Sequence, residues 1–132
     1  MPVPKTLCVL VVDDDDSIQK LVRLALSHLP MAIDILTASD GVEALTVIEQ
    51  HPPDLVISDV MMPRMDGLTL CQRLREDMRT AFVPIMILTA NTDEADRTKG
   101  YLVGTDDYVT KPFAVSDLNA RVMRLLRRTY GL

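Results

Sequence analysis

Residues 7–16 read Leu7-Cys8-Val9-Leu10-Val11-Val12-Asp13-Asp14-Asp15-Asp16, an apolar run that ends in four consecutive carboxylates. Six residues rich in Val and Leu, with no polar alternation, are what a strand buried on both faces requires, as in a parallel sheet. The acids make the opposite demand. Two carboxylates about 5 Å apart at an effective dielectric near 20 repel by roughly 3 kcal/mol. Either they splay into water or a positive charge sits among them.

Outward from this stretch the same alternation repeats. Short apolar runs at 7–12, 33–36, 55–58, 83–88 and 108–110 predict five strands, β1 to β5. Between them lie helical patterns. Ile18, Leu21, Val22, Ala25, Leu26 and Leu29 form one face of a helix α1 that begins at Asp16, with Asp16 as N-cap and Gln19 at N3. Ala44, Leu45 and Ile48 mark α2 after Ser39-Asp40-Gly41, and Leu70, Cys71 and Leu74 mark α3 after Gly67. A fourth helix, α4, is predicted over 92–104, with Asp93 and Glu94 in its first turn. The fifth, α5, starts at Ser116, carries Leu118, Val122, Leu125 and Leu126, and holds Arg124, Arg127 and Arg128 in its last turn. The order (βα)5 predicts an α/β three-layer sandwich around a parallel five-stranded sheet with right-handed crossovers. No composition shift marks a second domain, so residues 1–132 read as a single domain with its core at about 7–128.

Composition excludes several classes of function. A net charge of −5, 4% aromatic residues and no Trp argue against a nucleic-acid surface or a base-stacking platform. At 48% hydrophobic and 25% charged the chain is an ordinary folded domain. No segment reaches the roughly 20 apolar residues of a membrane span, and the N-terminal run passes straight into acids with no cleavage site, so the expected address is cytoplasmic. Cys8 and Cys71, with no CxxC and no companion His cluster, read as small buried hydrophobes in a reducing compartment.

The polar residues fall where the strands end. β1 runs into Asp13-Asp14, β3 into Asp59, β4 into Thr89 and β5 into Lys111; only β2 brings no such group. Carboxyl ends of parallel strands share one edge of the sheet, where open α/β folds keep their ligand sites. Three carboxylates within 4–6 Å would repel by on the order of 10 kcal/mol, as much as the stability of a whole domain. One lysine offsets this poorly. A hard divalent cation does better, and oxygen ligands without His or thiolate point to Mg2+, with Mn2+ as the alternative ion. The pattern predicts a metal-assisted phosphate site.

The motifs "VLVVDDD", "PDLVISDVMMPRMDG", "ILTA" and "GTDDYVTKPF" resemble the receiver domain of two-component response regulators, from about Leu7 to Arg128. The resemblance implies a CheY-like, flavodoxin-like sheet of order 2-1-3-4-5. It implies that Asp59 is the phosphoacceptor, and that Asp13, Asp14, Asp59 and the backbone carbonyl of Met61 hold the metal. Thr89 would bond the phosphoryl group and Lys111 would pair with it. Tyr108 stands at the position of the family's aromatic switch residue, which follows the threonine; as an isolated feature it reads as a half-buried strand-edge aromatic. Lys111-Pro112 matches the family's cis peptide. Asp15 and Asp16 belong to the start of α1 rather than to the metal site.

Receivers of this kind take their phosphoryl group from a sensor histidine kinase or a phosphotransfer protein, and catalyse only their own phosphoryl transfer and autodephosphorylation. The last third of the chain is most similar to receivers of winged-helix transcriptional regulators, which implies a homodimer through the α4-β5-α5 face. Arg97, Asp106, Asp107 and Arg121 are the candidate cross-dimer ion pairs, against the reading that they are solvated surface charges. Thr98 and Thr105 depart from the small or apolar residues common there. Met61 and Asn91 occupy positions that tune dephosphorylation in receivers, and apolar Met61 implies a long-lived phosphoaspartate. His28 and His51 read as surface residues and Met61, Met62 and Met65 as loop packing. A Mg2+-dependent phosphohydrolase would place a second Asp two residues after the nucleophile, where this chain has Met61. The remaining alternative is a receiver-fold interaction domain that works without phosphorylation. The chain stops four residues after Arg128. It reads as a free-standing receiver or as one cut from a longer regulator or hybrid kinase.

Overall fold

Among the described residues the apolar runs form strands and the amphipathic runs form helices, in the order predicted. The structure, a computed structural model, describes residues 6–90 and 104–132. In chain order its elements are β1 (Leu7–Val12), α1 (Asp16–Leu26), β2 (Ile33–Ala38), α2 (Gly41–Gln50), β3 (Leu55–Asp59), α3 (Gly67–Glu76), β4 (Ile85–Thr89), β5 (Asp107–Thr110) and α5 (Val115–Tyr130). The predicted α4, with Asn91, Arg97 and Thr98, lies outside the described residues.

All four strand pairings are parallel and the sheet order is β2-β1-β3-β4-β5. Because side chains alternate across a strand, each strand feeds both layers of the sandwich. Val9, Val11, Leu55, Ile57, Met86, Leu88 and Val109 meet Val22 and Leu26 of α1 and Leu118, Val122, Leu125 and Leu126 of α5. The intervening residues Leu10, Val12, Val56, Ile85 and Ile87 meet Ala44 and Ile48 of α2 and Leu68, Leu70, Cys71 and Leu74 of α3.

The differences from the predicted boundaries have local causes. β2 continues two residues past Leu36 because Thr37 and Ala38 still pair with Val11 and Val12. β4 begins at Ile85 rather than Val83: the Val83 N–H closes a turn onto Thr80, and Pro84, which has no N–H to give, only accepts from Val56. The N-cap of α1 is Asp15, not Asp16; its carboxylate accepts from the Ser17 N–H at 2.8 Å. Gln19 does not complete a capping box, for its amide donates to the Asp13 carbonyl at 2.7 Å. α5 starts one residue early, at Val115, with no side-chain cap.

Candidate functional site

Each strand end carries its polar group to one edge of the sheet by pairing with its neighbour. The Asp13 N–H donates to the Ala38 carbonyl at 3.0 Å, which extends the β1–β2 ladder by one residue and fixes the direction of the Asp13 side chain. Asp59 is itself a strand residue opposite Leu88, and Thr89 stands opposite Thr110. The Lys111 N–H donates to the Thr89 carbonyl at 2.8 Å, so the end of β5 is set against that of β4. The Lys111-Pro112 peptide is cis, as expected.

Asp13 is 1% exposed. One of its oxygens accepts from the Asp15 N–H at 2.9 Å, and the other lies 2.9 Å from the Lys111 ammonium, which stands 3.3 Å from Asp59. Burial pushes the Asp13 carboxyl above its ordinary value, although Lys111 pulls the other way. Burial alone would lower the Lys111 pKa; the two carboxylates outweigh it and raise it. The lysine thus offsets more of the repulsion than its single charge suggested, by bridging two of the three acids.

Asp14 is exposed beside this pair. Asp13, Asp14 and Asp59 each present a carboxylate oxygen within 4.8 Å of the others. An octahedral ion with oxygens at about 2.1 Å holds its ligand atoms about 3.0 to 4.2 Å apart. The three oxygens therefore fit a hard cation after small side-chain rotations, and Asp14 is free to make one.

The loop after Asp59 is tightly closed. Gly67 donates to the Val60 carbonyl at 2.9 Å, and a Cβ at Gly67 would overlap the Asp59 carbonyl oxygen, so a side chain is barred there. Met61 lies in this loop with its side chain 75% exposed, so the loop-packing reading fails for it and holds for Met62 and Met65, which pack on the core.

Tyr108 is 6% exposed and sits in the α2–α3 layer of the core, which replaces the half-buried reading of its ring. The described dimer candidates are engaged within the chain. Asp106 pairs with Arg75 at 2.9 Å and Arg128 at 3.3 Å and accepts from the Ile85 N–H. Asp107 pairs with Arg121 at 2.9 Å and Arg124 at 3.2 Å. His28 and His51 are exposed. Cys71 is buried, which pushes its thiol up to about 11, and Cys8 is half-buried.

Sequence reasoning missed two organising residues. Arg75 donates to the carbonyls of Gly104, Ala81 and Val83 and ties α3 to the entries of β4 and β5. Asp40, placed by β2, caps α2 through the Glu43 N–H and pairs with Arg64 at 2.8 Å. The Asp-Gly step before α2 was the available signal for its capping role; nothing local announces the pairing with Arg64.

The family model described as the response regulator receiver domain matches residues 9–123. The DNA-binding dual master transcriptional regulator RpaA of Synechocystis is 46% identical, over 92% of this chain and 49% of its own length. The alkaline phosphatase synthesis transcriptional regulatory protein PhoP of Bacillus subtilis is 45% identical, over 92% of this chain and 49% of its own. The chain spans about half the length of these curated relatives. Among solved structures, the Francisella response regulator 1452 receiver domain superposes with a TM-score of 0.83 at 36% identity, covering 94% of this chain and 99% of that one. Among the described residues no helix is long and apolar enough to cross a membrane.

Proposed function

The chain belongs to the response regulator receiver domain family, and from that premise we propose that it is a single receiver, residues 1–132, which accepts a phosphoryl group on Asp59. The observation that carries the reading is the meeting of Asp13, Asp14, Asp59 and Lys111 at one sheet edge, Asp13 and Lys111 being 98 positions apart in sequence.

Asp13, Asp14, Asp59 and the Met61 carbonyl would hold Mg2+, or Mn2+ in its place. The ion when bound supplies charge neutralisation on the transferring oxygens. A carboxylate attacks phosphorus poorly unless that charge is met. An Asp59 oxygen forms its bond to phosphorus as the bond to the donor's imidazole nitrogen breaks, and the imidazole leaves with the electron pair. The Lys111 ammonium, within reach of Asp59, pairs with the arriving phosphoryl oxygens, and the Thr89 hydroxyl donates to one of them. Tyr108 follows Thr89 and carries the change to the α4-β5-α5 surface, an equilibrium between two states biased by phosphate.

The donor is a sensor histidine kinase or a phosphotransfer protein, and the domain's chemistry is confined to its own phosphoryl group. A homodimer through that same face would free Asp106, Asp107 and Arg121 from their present partners to pair across it, with Arg97. The address is cytoplasmic, where such donors present their phosphohistidine.

Intact mass after incubation with Mg2+ and acetyl phosphate tests the reading. One added phosphoryl group is expected in the wild type and none in Asp59→Asn or in EDTA. No gain with any donor would favour an interaction domain that works without phosphorylation.

A further inference from the structure

Arg64 has φ of 64°, the one non-glycine residue in the left-handed region among those described. Gly or Asn would occupy that conformation more easily. A backbone outlier beside a functional site is a reason to ask what it secures. Here the turn throws the Arg64 side chain back onto the start of α2, where its Nε donates to Asp40 at 2.8 Å. Asp40 is buried, and its other oxygen accepts from the Glu43 N–H at 2.8 Å. The guanidinium holds the Asp40 carboxyl below its ordinary value.

Two further contacts seat the same loop. The Met65 carbonyl accepts from the Gly41 N–H at 3.2 Å. The Met65 side chain occupies the space a Cβ would take at Gly41, where an added carbon would lie 2.7 Å from it. The loop closes on itself through Pro63 to Met65 and Val60 to Gly67. It follows Asp59 directly and contains Met61, whose carbonyl is the candidate fourth oxygen. The residues that follow β2, a strand that brings no group to the crevice, thus grip the loop that brings the Met61 carbonyl.

We propose that Arg64 and Asp40 are a positioning pair that fixes the Val60–Asp66 loop and thereby sets how tightly the Asp13-Asp14-Asp59 site binds a divalent cation. The proposal rests on the receiver reading above. Neither residue belongs to the carboxylate cluster; each acts through the loop, as outer-sphere partners do in metal sites generally.

The test counts free Mn2+ by electron paramagnetic resonance, with Mg2+ as competitor, on the intact chain. Arg64→Met is expected to weaken binding about 10-fold, and Arg64→Lys to recover most of that loss. The double variant Arg64→Met/Asp40→Asn should bind no more weakly than the poorer single one, because one interaction is lost in each. Should Arg64→Met not fold, Arg64→Gly removes the pair and the backbone strain together, and the same loss is expected. Unchanged affinity in whichever of these variants folds, or no recovery in Arg64→Lys, overturns the positioning role. Wild-type protein that binds neither ion overturns the receiver reading as well, and the intact-mass experiment reports that failure separately.

Discussion

Lys111 does two jobs that oppose each other. Its ammonium holds Asp13 and Asp59 together, and it sits where a cation would draw the same carboxylates. Replacing it with Met is therefore expected to lower the melting temperature of the metal-free protein and to tighten Mg2+ binding by about 10-fold, since a repelling charge leaves the site. Phosphoryl uptake should slow in the same variant. Calorimetric melting, Mn2+ competition and timed intact mass separate the three effects. Weaker Mg2+ binding would mean that the lysine organises the acids more than it competes for them. At this scale the sequence was legible where a residue's place follows from the end of a strand: Asp13, Asp14, Asp59, Thr89 and Lys111 all lie there. Asp40 and Arg64 were not, because their partnership joins two loops 24 positions apart and neither loop carries a periodic signal.

Among the elements, α5 is fastened at both ends. It follows Lys111-Pro112 at the site edge, and at its far end the Tyr130 hydroxyl donates to the Asp54 carbonyl at 2.6 Å, while the Asp54 carboxylate accepts from the Cys8 N–H. Burial pushes the Tyr130 hydroxyl up to about 12, with Asp54 adding to it. Tyr130→Phe should cost about 1 kcal/mol, a fall of about 4 °C in Tm. The sign with pH follows from the raised value. The bond contributes fully below the ordinary tyrosine value of 10.0 and is lost as pH rises through about 12, so the gap between wild type and Phe should narrow over that window. A constant gap would assign the effect to packing. The described elements were legible because apolar run length and helical spacing agree in each of them. Their ends were less so: the α1 cap fell to Asp15 because Asp13 and its neighbours turn into the site before the helix begins, a constraint no local pattern records.

For the whole molecule, a cation that binds only the folded form must stabilise it. At a concentration 100 times its dissociation constant, Mg2+ should add about 2.7 kcal/mol, about 10 °C in Tm for a domain of this size. The melting temperature should climb with the logarithm of Mg2+ in the wild type and stay flat in Asp13→Asn; parallel slopes would place the ion elsewhere. The ion pair between Asp13 and Lys111 spans 98 positions of the chain. It cannot close until β5 has been laid beside β4 at the far side of the sheet. Closing so long a loop is slow relative to forming the helices. The cluster of three acids and one lysine is thus complete only in a chain whose last strand is in place, and a chain still folding holds it in pieces.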